Sequence, residues 1–154
     1  MEFEIRIATI QDSKEICKMI KKLTEQHLEN DDFYKGNIDI GENNIDGVFS
    51  IQSCCIFVAE TNKEIIGFIE IWLEDKNFHF FVDEYAYIMH AFVEPEYRNF
   101  LILNKLFKAA QAWAVSKGRK YLIADVYEHN QGPMKILEFY GLKKYKTRMV
   151  KEIK

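Results

Sequence analysis

Cysteine is scarce in this chain, with residues only at positions 17, 54 and 55, the last two adjacent. An odd count with no accompanying His pattern excludes a disulfide framework and offers no zinc motif. Cys17, Cys54 and Cys55 therefore read as reduced core or strand residues. Long hydrophobic runs are missing too. No stretch approaches the roughly 18 apolar residues that would span a bilayer, and the opening "MEFEIRIATI" lacks a basic region followed by an apolar one. The expectation is a soluble, cytoplasmic protein with no membrane partner. A strong excess of one charge is also absent, the total being −3. No repeat, linker or low-complexity tract divides the 154 residues, of which 48% are apolar and 14% aromatic. That is enough for one domain, 1–154, with a substantial core.

The distribution of charge says more than its total. Residues 1–93 hold 8 basic and 18 acidic side chains, whereas residues 94–154 hold 13 basic and 6 acidic. A nucleic-acid binder would carry a basic excess with interleaved aromatics, and the acidic half argues against one.

Periodicity then orders the elements. "EFEIRIA" alternates like a first strand, and "DSKEICKMIKKLTEQHL" places Ile16, Ile20, Leu23 and His27 on one helical face, with Asp12 and Glu15 as a capping-box-like start. Residues 30–50 read as a long loop holding a short helix. "CCIFVAETNKEIIGFIEIWLE" is a hairpin about "TNKE", and "YAYIMHAFV" is a further strand. A helix from about Leu101 to Lys117 ends at Gly118, followed by the strand "KYLIADVY", a short helix after Asn130 and a last strand around "YKTRMVKEI". The passage from "YAYIMHAFV" to "KYLIADVY" is a βαβ unit, so its two strands should run parallel, or splay apart, in a mixed sheet. The helix between them starts where such sheets bind ligands, with Arg98 at its mouth and Lys105 and Lys108 beyond. A phosphate is the natural guest there.

The stretch "FVEPEYRNFLILNKLFKAAQAWAVSKG", with "LIADVYEHN" and "FYGLKKYKTRMVKEI", resembles the GNAT superfamily of N-acetyltransferases, and "IRIATIQDSKEI" is similar to that family's first strand and helix. The resemblance implies an α/β (mixed α+β) fold, a mostly antiparallel sheet of 6–7 strands splayed between the fourth and fifth and flanked by about four helices, with acetyl-CoA in the gap. It implies a pyrophosphate loop running from Arg98 through Asn99, Phe100, Leu101, Ile102, Leu103 and Asn104, with Asn130 keeping a family position. Leu101 and Leu103 stand where the family's pattern has small residues, and Leu137 stands where it has the tyrosine that protonates the departing thiolate. Tyr140, one helical turn on, could reach the same space or pack in the core.

Direct acetyl transfer to an amine needs a polarised carbonyl and a proton acceptor. The backbone near Phe92 and Val93 could hold the thioester oxygen. Strand alternation puts Tyr85, Tyr87 and Met89 on one face and Ala86, Ile88 and His90 on the other, and a bulge would exchange them. Tyr87, His90 and Glu84 are the remaining catalytic candidates. The acidic segments 29–46 and 74–84 would attract a small cationic amine as acceptor. Two points stay open at this level: a non-catalytic relative that binds a ligand or partner at the same helix mouth, and whether "FHFF", residues 78–81, is core or a homodimer surface.

Overall fold

The computed structural model describes residues 2–35, 43–75 and 84–153. Five strands form one sheet in the order β1-β2-β3-β4-β5: β1 (Glu4–Ile7), β2 (Cys54–Thr61), β3 (Glu64–Glu74), β4 (Tyr85–Val93) and β5 (Tyr121–Ala124). The first four are antiparallel to their neighbours, and β5 runs parallel to β4. The β2–β3 hairpin turns through Asn62 and Lys63, both at positive φ, as a tight two-residue turn requires. Helix α1 (Ser13–Asn30) lies on one face of the sheet and α3 (Phe100–Ser116) on the other. The short α2 (Asn43–Asp46) falls inside the long loop, and α4 (Gln131–Phe139) follows β5.

Helices α1 and α3 bury the faces their sequences mark. Ile16, Cys17, Met19 and Ile20 of α1 pack on Ile56, Val58, Phe68 and Phe92. Ile102, Leu106, Phe107, Ala110 and Ala114 of α3 pack on Ile66, Ile69, Ile71, Ala86 and Ile88. Burial of this kind stabilises by roughly 1.5–3 kcal/mol per large side chain. Helix α3 stops at Gly118, whose φ of 78° lets its amide turn back to Val115 O and the next amide, of Arg119, reach Ala114 O. Gly67 has a different reason: a Cβ there would meet Phe92 O at 2.8 Å, so β3 and β4 approach this closely only with glycine.

Two expectations change. The capping carboxylate acts one turn earlier, with Asp12 accepting the Thr9 amide at 2.7 Å while Arg6 grips both its oxygens. The last strand is absent: residues 142–153 hold no regular structure and leave Tyr145, Met149 and Val150 exposed. Alternation alone does not make a strand when no edge pairs with it; the described sheet, with five strands, is otherwise the mixed, mostly antiparallel sheet expected. "FHFF" lies outside the described residues, as do parts of both acidic segments.

Candidate active site

Strands β4 and β5 pair only from Tyr85 with Tyr121 to Ile88 with Ala124. β4 then runs on to Val93 while β5 stops, so among the described residues Met89–Val93 has no strand neighbour on that side. Its backbone groups on that side have no strand partner, and Val93 O accepts from the Arg98 side chain instead. A turn, Pro95–Tyr97, brings the chain from the end of β4 to the start of α3. The amides of Leu101 and Ile102 point out of that start, and the Asn99 side chain accepts from both, at 3.0 and 3.1 Å. No acidic side chain lies in the first turn. An anion would find a pair of amides there, and the neutral Asn99 oxygen is what it would have to displace.

Arg98 does not reach outward. Its Nε donates to Val93 O at 3.0 Å and its guanidinium lies 5.4 Å from the Phe92 ring centroid, which ties the mouth of α3 to the end of β4. Leu101 is 52% exposed and so is not a core residue, while Leu103 is partly buried against the core under α3. Neither has positive φ, so the leucines are compatible with an ordinary helix start where glycine would otherwise be expected. The part of β4 without a strand neighbour and the amide pair capped by Asn99 are the groups at this mouth that could hold a diphosphate-bearing thioester.

Tyr140 stacks on Phe107 at 4.3 Å and donates its hydroxyl to Asn104 Oδ1. Burial raises its pKa, so the phenol stays protonated. Leu137 packs on the core beneath it. Asn130 occupies the cap position of α4 without a side-chain capping bond.

The opposite face of the sheet is set by a bulge. The β3–β4 register passes from Glu70 with His90 to Ile71 with Ile88, leaving Met89 as the extra residue. Ala86 and Ile88 before it, and Ala91 and Val93 after it, all belong to the α3 side. Tyr87 and His90 therefore share the α1 side, as alternation alone would not have allowed. There the nearly buried Glu70 accepts from His90 Nδ1 at 2.7 Å with one oxygen and from Trp72 Nε1 at 2.6 Å with the other. Because a carboxylate only accepts, His90 donates from Nδ1, and in the neutral ring this leaves Nε2 as the acceptor. Tyr87 donates to Asp125 at 3.1 Å, and burial followed by Asp125 raises its pKa. Glu84 stands at the far end of β4, exposed and about 20 Å from His90 by strand rise; the fold does not bring it to this group.

Sequence reasoning missed Glu70, Trp72, Asp125 and His129. Glu70 and Trp72 are two residues apart in an apolar strand, and a buried acid between isoleucines was the available signal. Beyond His90, the rings of His27, Tyr34, Tyr127 and His129 pack together, with His27 and His129 nitrogens 3.4 Å apart. Burial, then repulsion from His129, lowers the His27 pKa. A groove of about 310 Å³ runs between α1 and the end of β4, lined by Glu25, Glu29, Glu94 and Glu96 with Lys22 held on Glu94 at 2.7 Å. The cysteines take no part: burial raises the thiols of Cys54 to about 12 and Cys55 to about 11.

The sheet is mixed and parts beside a helix N-terminus. The model of the acetyltransferase (GNAT) family matches residues 17–140, and the chain belongs to that family. Solved structures share the fold along its length. A single-site mutant of the BH1408 protein from Bacillus halodurans is 19% identical with a TM-score of 0.85, covering 97% of this chain and 99% of its own. AAC(6')-Iy in complex with the bisubstrate analogue CoA-S-monomethyl-acetylneamine is 17% identical at 0.79, covering 100% and 99%. The aminoglycoside 6'-N-acetyltransferase AAC(6')-Ih from Acinetobacter baumannii is 14% identical at 0.74, covering 99% of both. No curated protein matches in sequence. Among the described residues no helix is long and apolar enough to cross a membrane.

Proposed function

We propose that this protein is an acetyl-CoA-dependent N-acetyltransferase that acetylates a primary amine of a small cationic acceptor by direct transfer. The observation that carries the reading is the parting of β4 from β5 after Ile88 and Ala124, with the amides of α3 at its head and the His90–Glu70 pair on the other side of β4. Acetyl-CoA, when bound, supplies an acetyl group activated as a thioester. Swinging Asn99 away frees the Leu101 and Ile102 amides for the diphosphate, and backbone amides near Phe92 and Val93 polarise the carbonyl. His90 Nε2 accepts the proton of the attacking amine, directly or through water, while Glu70 and Trp72 hold the ring in the tautomer that can. Tyr140 is the protonated hydroxyl on the α3 side and protonates the departing thiolate once it leaves Asn104.

The acceptor class is supported by two features. Four glutamates line the groove beside α1, and Asp125 faces Tyr87 on the same side as His90. A cation is drawn to such a mouth and an anion repelled. The aminoglycoside acetyltransferases that share the fold are in keeping with a polyamine or aminoglycoside-like acceptor. The test is thiol release from acetyl-CoA on adding amines from three sets: polyamines, aminoglycosides and anionic amino acids. Release with a cationic amine and not with an anionic one is expected. The absence of release with every amine, despite acetyl-CoA binding, would support the second reading, a non-catalytic relative.

A further inference from the structure

Two phenylalanines lie in the open at the mouth of α3. Phe100 is the first residue of α3 and 48% exposed; Phe139 is the last of α4 and 70% exposed; their rings meet edge to face at 5.4 Å. Leu101, 52% exposed, extends the patch, and Tyr140 backs it, with its ring 5.5 Å from that of Phe139. Exposed aromatics cost free energy unless something covers them, and a contiguous apolar patch marks a binding surface more often than a single exposed side chain does. Neither ring is a core side chain, since both rank among the exposed large hydrophobics.

We propose that Phe100 and Phe139 form a stacking platform for the adenine ring of the CoA nucleotide; the inference rests on the acetyl-CoA reading above. Continuity selects this occupant. Phe100 directly follows Asn99, whose side chain holds the amide pair that the diphosphate would take, and in an adenosine nucleotide the base lies one ribose from the diphosphate. The charge agrees. Lys135 is an exposed residue of α4 one turn before Phe139, hence beside it on the helix surface, where an ammonium can meet the phosphate on the ribose. A purine presents a flat π-face to either ring, so the platform discriminates CoA from pantetheine compounds that lack the nucleotide.

Calorimetry with two ligands tests this: acetyl-CoA, and acetyl-4'-phosphopantetheine, which lacks the adenylate. In the unaltered protein acetyl-CoA should bind the tighter of the two. Phe139→Ala, a change at an exposed position, should weaken acetyl-CoA about tenfold and leave acetyl-4'-phosphopantetheine unchanged, whereas Phe139→Trp should retain acetyl-CoA binding. Equal loss for both ligands, or no loss for either, overturns the platform while leaving the acetyl-CoA reading intact. A change of sedimentation from dimer to monomer in Phe139→Ala without loss of affinity also overturns it and assigns the pair to an interface between copies. If the unaltered protein binds neither ligand, the acetyl-CoA reading fails and the platform with it.

Discussion

Replacing Glu70 by glutamine changes one atom and should move one proton. In the native arrangement Glu70 accepts from Trp72 Nε1 and from His90 Nδ1, at 2.6 and 2.7 Å. The indole N–H can only donate, so in Glu70→Gln the amide oxygen must turn to Trp72 and the NH₂ must face His90. His90 then accepts at Nδ1 and carries its proton on Nε2, the nitrogen assigned to the amine. The base is lost with its ring still in place. General-base catalysis contributes roughly 10²–10⁴-fold, and kcat/KM should fall within that range while acetyl-CoA affinity holds. Folding stability should drop by no more than about 1.5–3 kcal/mol, the scale of hydrogen bonds to a charged group. Nitrogen-15 chemical shifts of the His90 ring should report the Nδ1–H tautomer in the native protein and Nε2–H in the variant. A tautomer change without loss of turnover would remove His90 from the chemistry, and an unchanged tautomer would refute the orientation argument itself.

Three further outcomes are expected. Asn99→Ala removes the acceptor on the Leu101 and Ile102 amides, so urea denaturation should show a loss of about 1 kcal/mol while acetyl-CoA binding is equal or tighter; weaker binding would mean that Asn99 itself holds the cofactor. Tyr140→Phe should lower turnover and leave acetyl-CoA affinity unaltered, and unaltered turnover would assign thiolate protonation to water. Because the His27 pKa is lowered from 6.5 in the folded state, the unfolded chain binds more protons, and stability should be full above about pH 6.5 and fall as pH drops below it. His27→Gln should flatten that part of a melting-temperature profile, whereas a profile equally steep in the variant would place the sensitivity elsewhere. Asp12, whose pKa is lowered mainly by its bonds from Arg6, acts only in a separate window below about pH 3.8.

The fold was legible where a pattern was local. The amphipathic faces of α1 and α3, the Asn62–Lys63 turn and the Gly118 stop each follow from a few adjacent residues, and the βαβ passage fixed the parallel pairing of β4 with β5. The site was less so, because its groups meet through register. Nothing near His90 in sequence points to Glu70, twenty positions earlier; the pair exists because antiparallel pairing aligns them and the extra Met89 turns His90 to the face of Tyr87. Arg98 was placed at the right helix mouth, yet its guanidinium folds back on Val93 and Phe92, since a carbonyl and a ring lay within reach of the side chain. The last strand failed for the converse reason. "YKTRMVKEI" has the alternation of a strand, yet among the described residues it pairs with neither edge of the sheet, β1 nor β5.

The account stands on the gap between β4 and β5 being a cofactor site, and calorimetric titration of acetyl-CoA into the purified protein tests that most directly. It predicts saturable binding of one acetyl-CoA per chain, weakened by Arg98→Ala because that side chain ties the mouth of α3 to the end of β4. No saturable binding, or an affinity indifferent to Arg98, would contradict it.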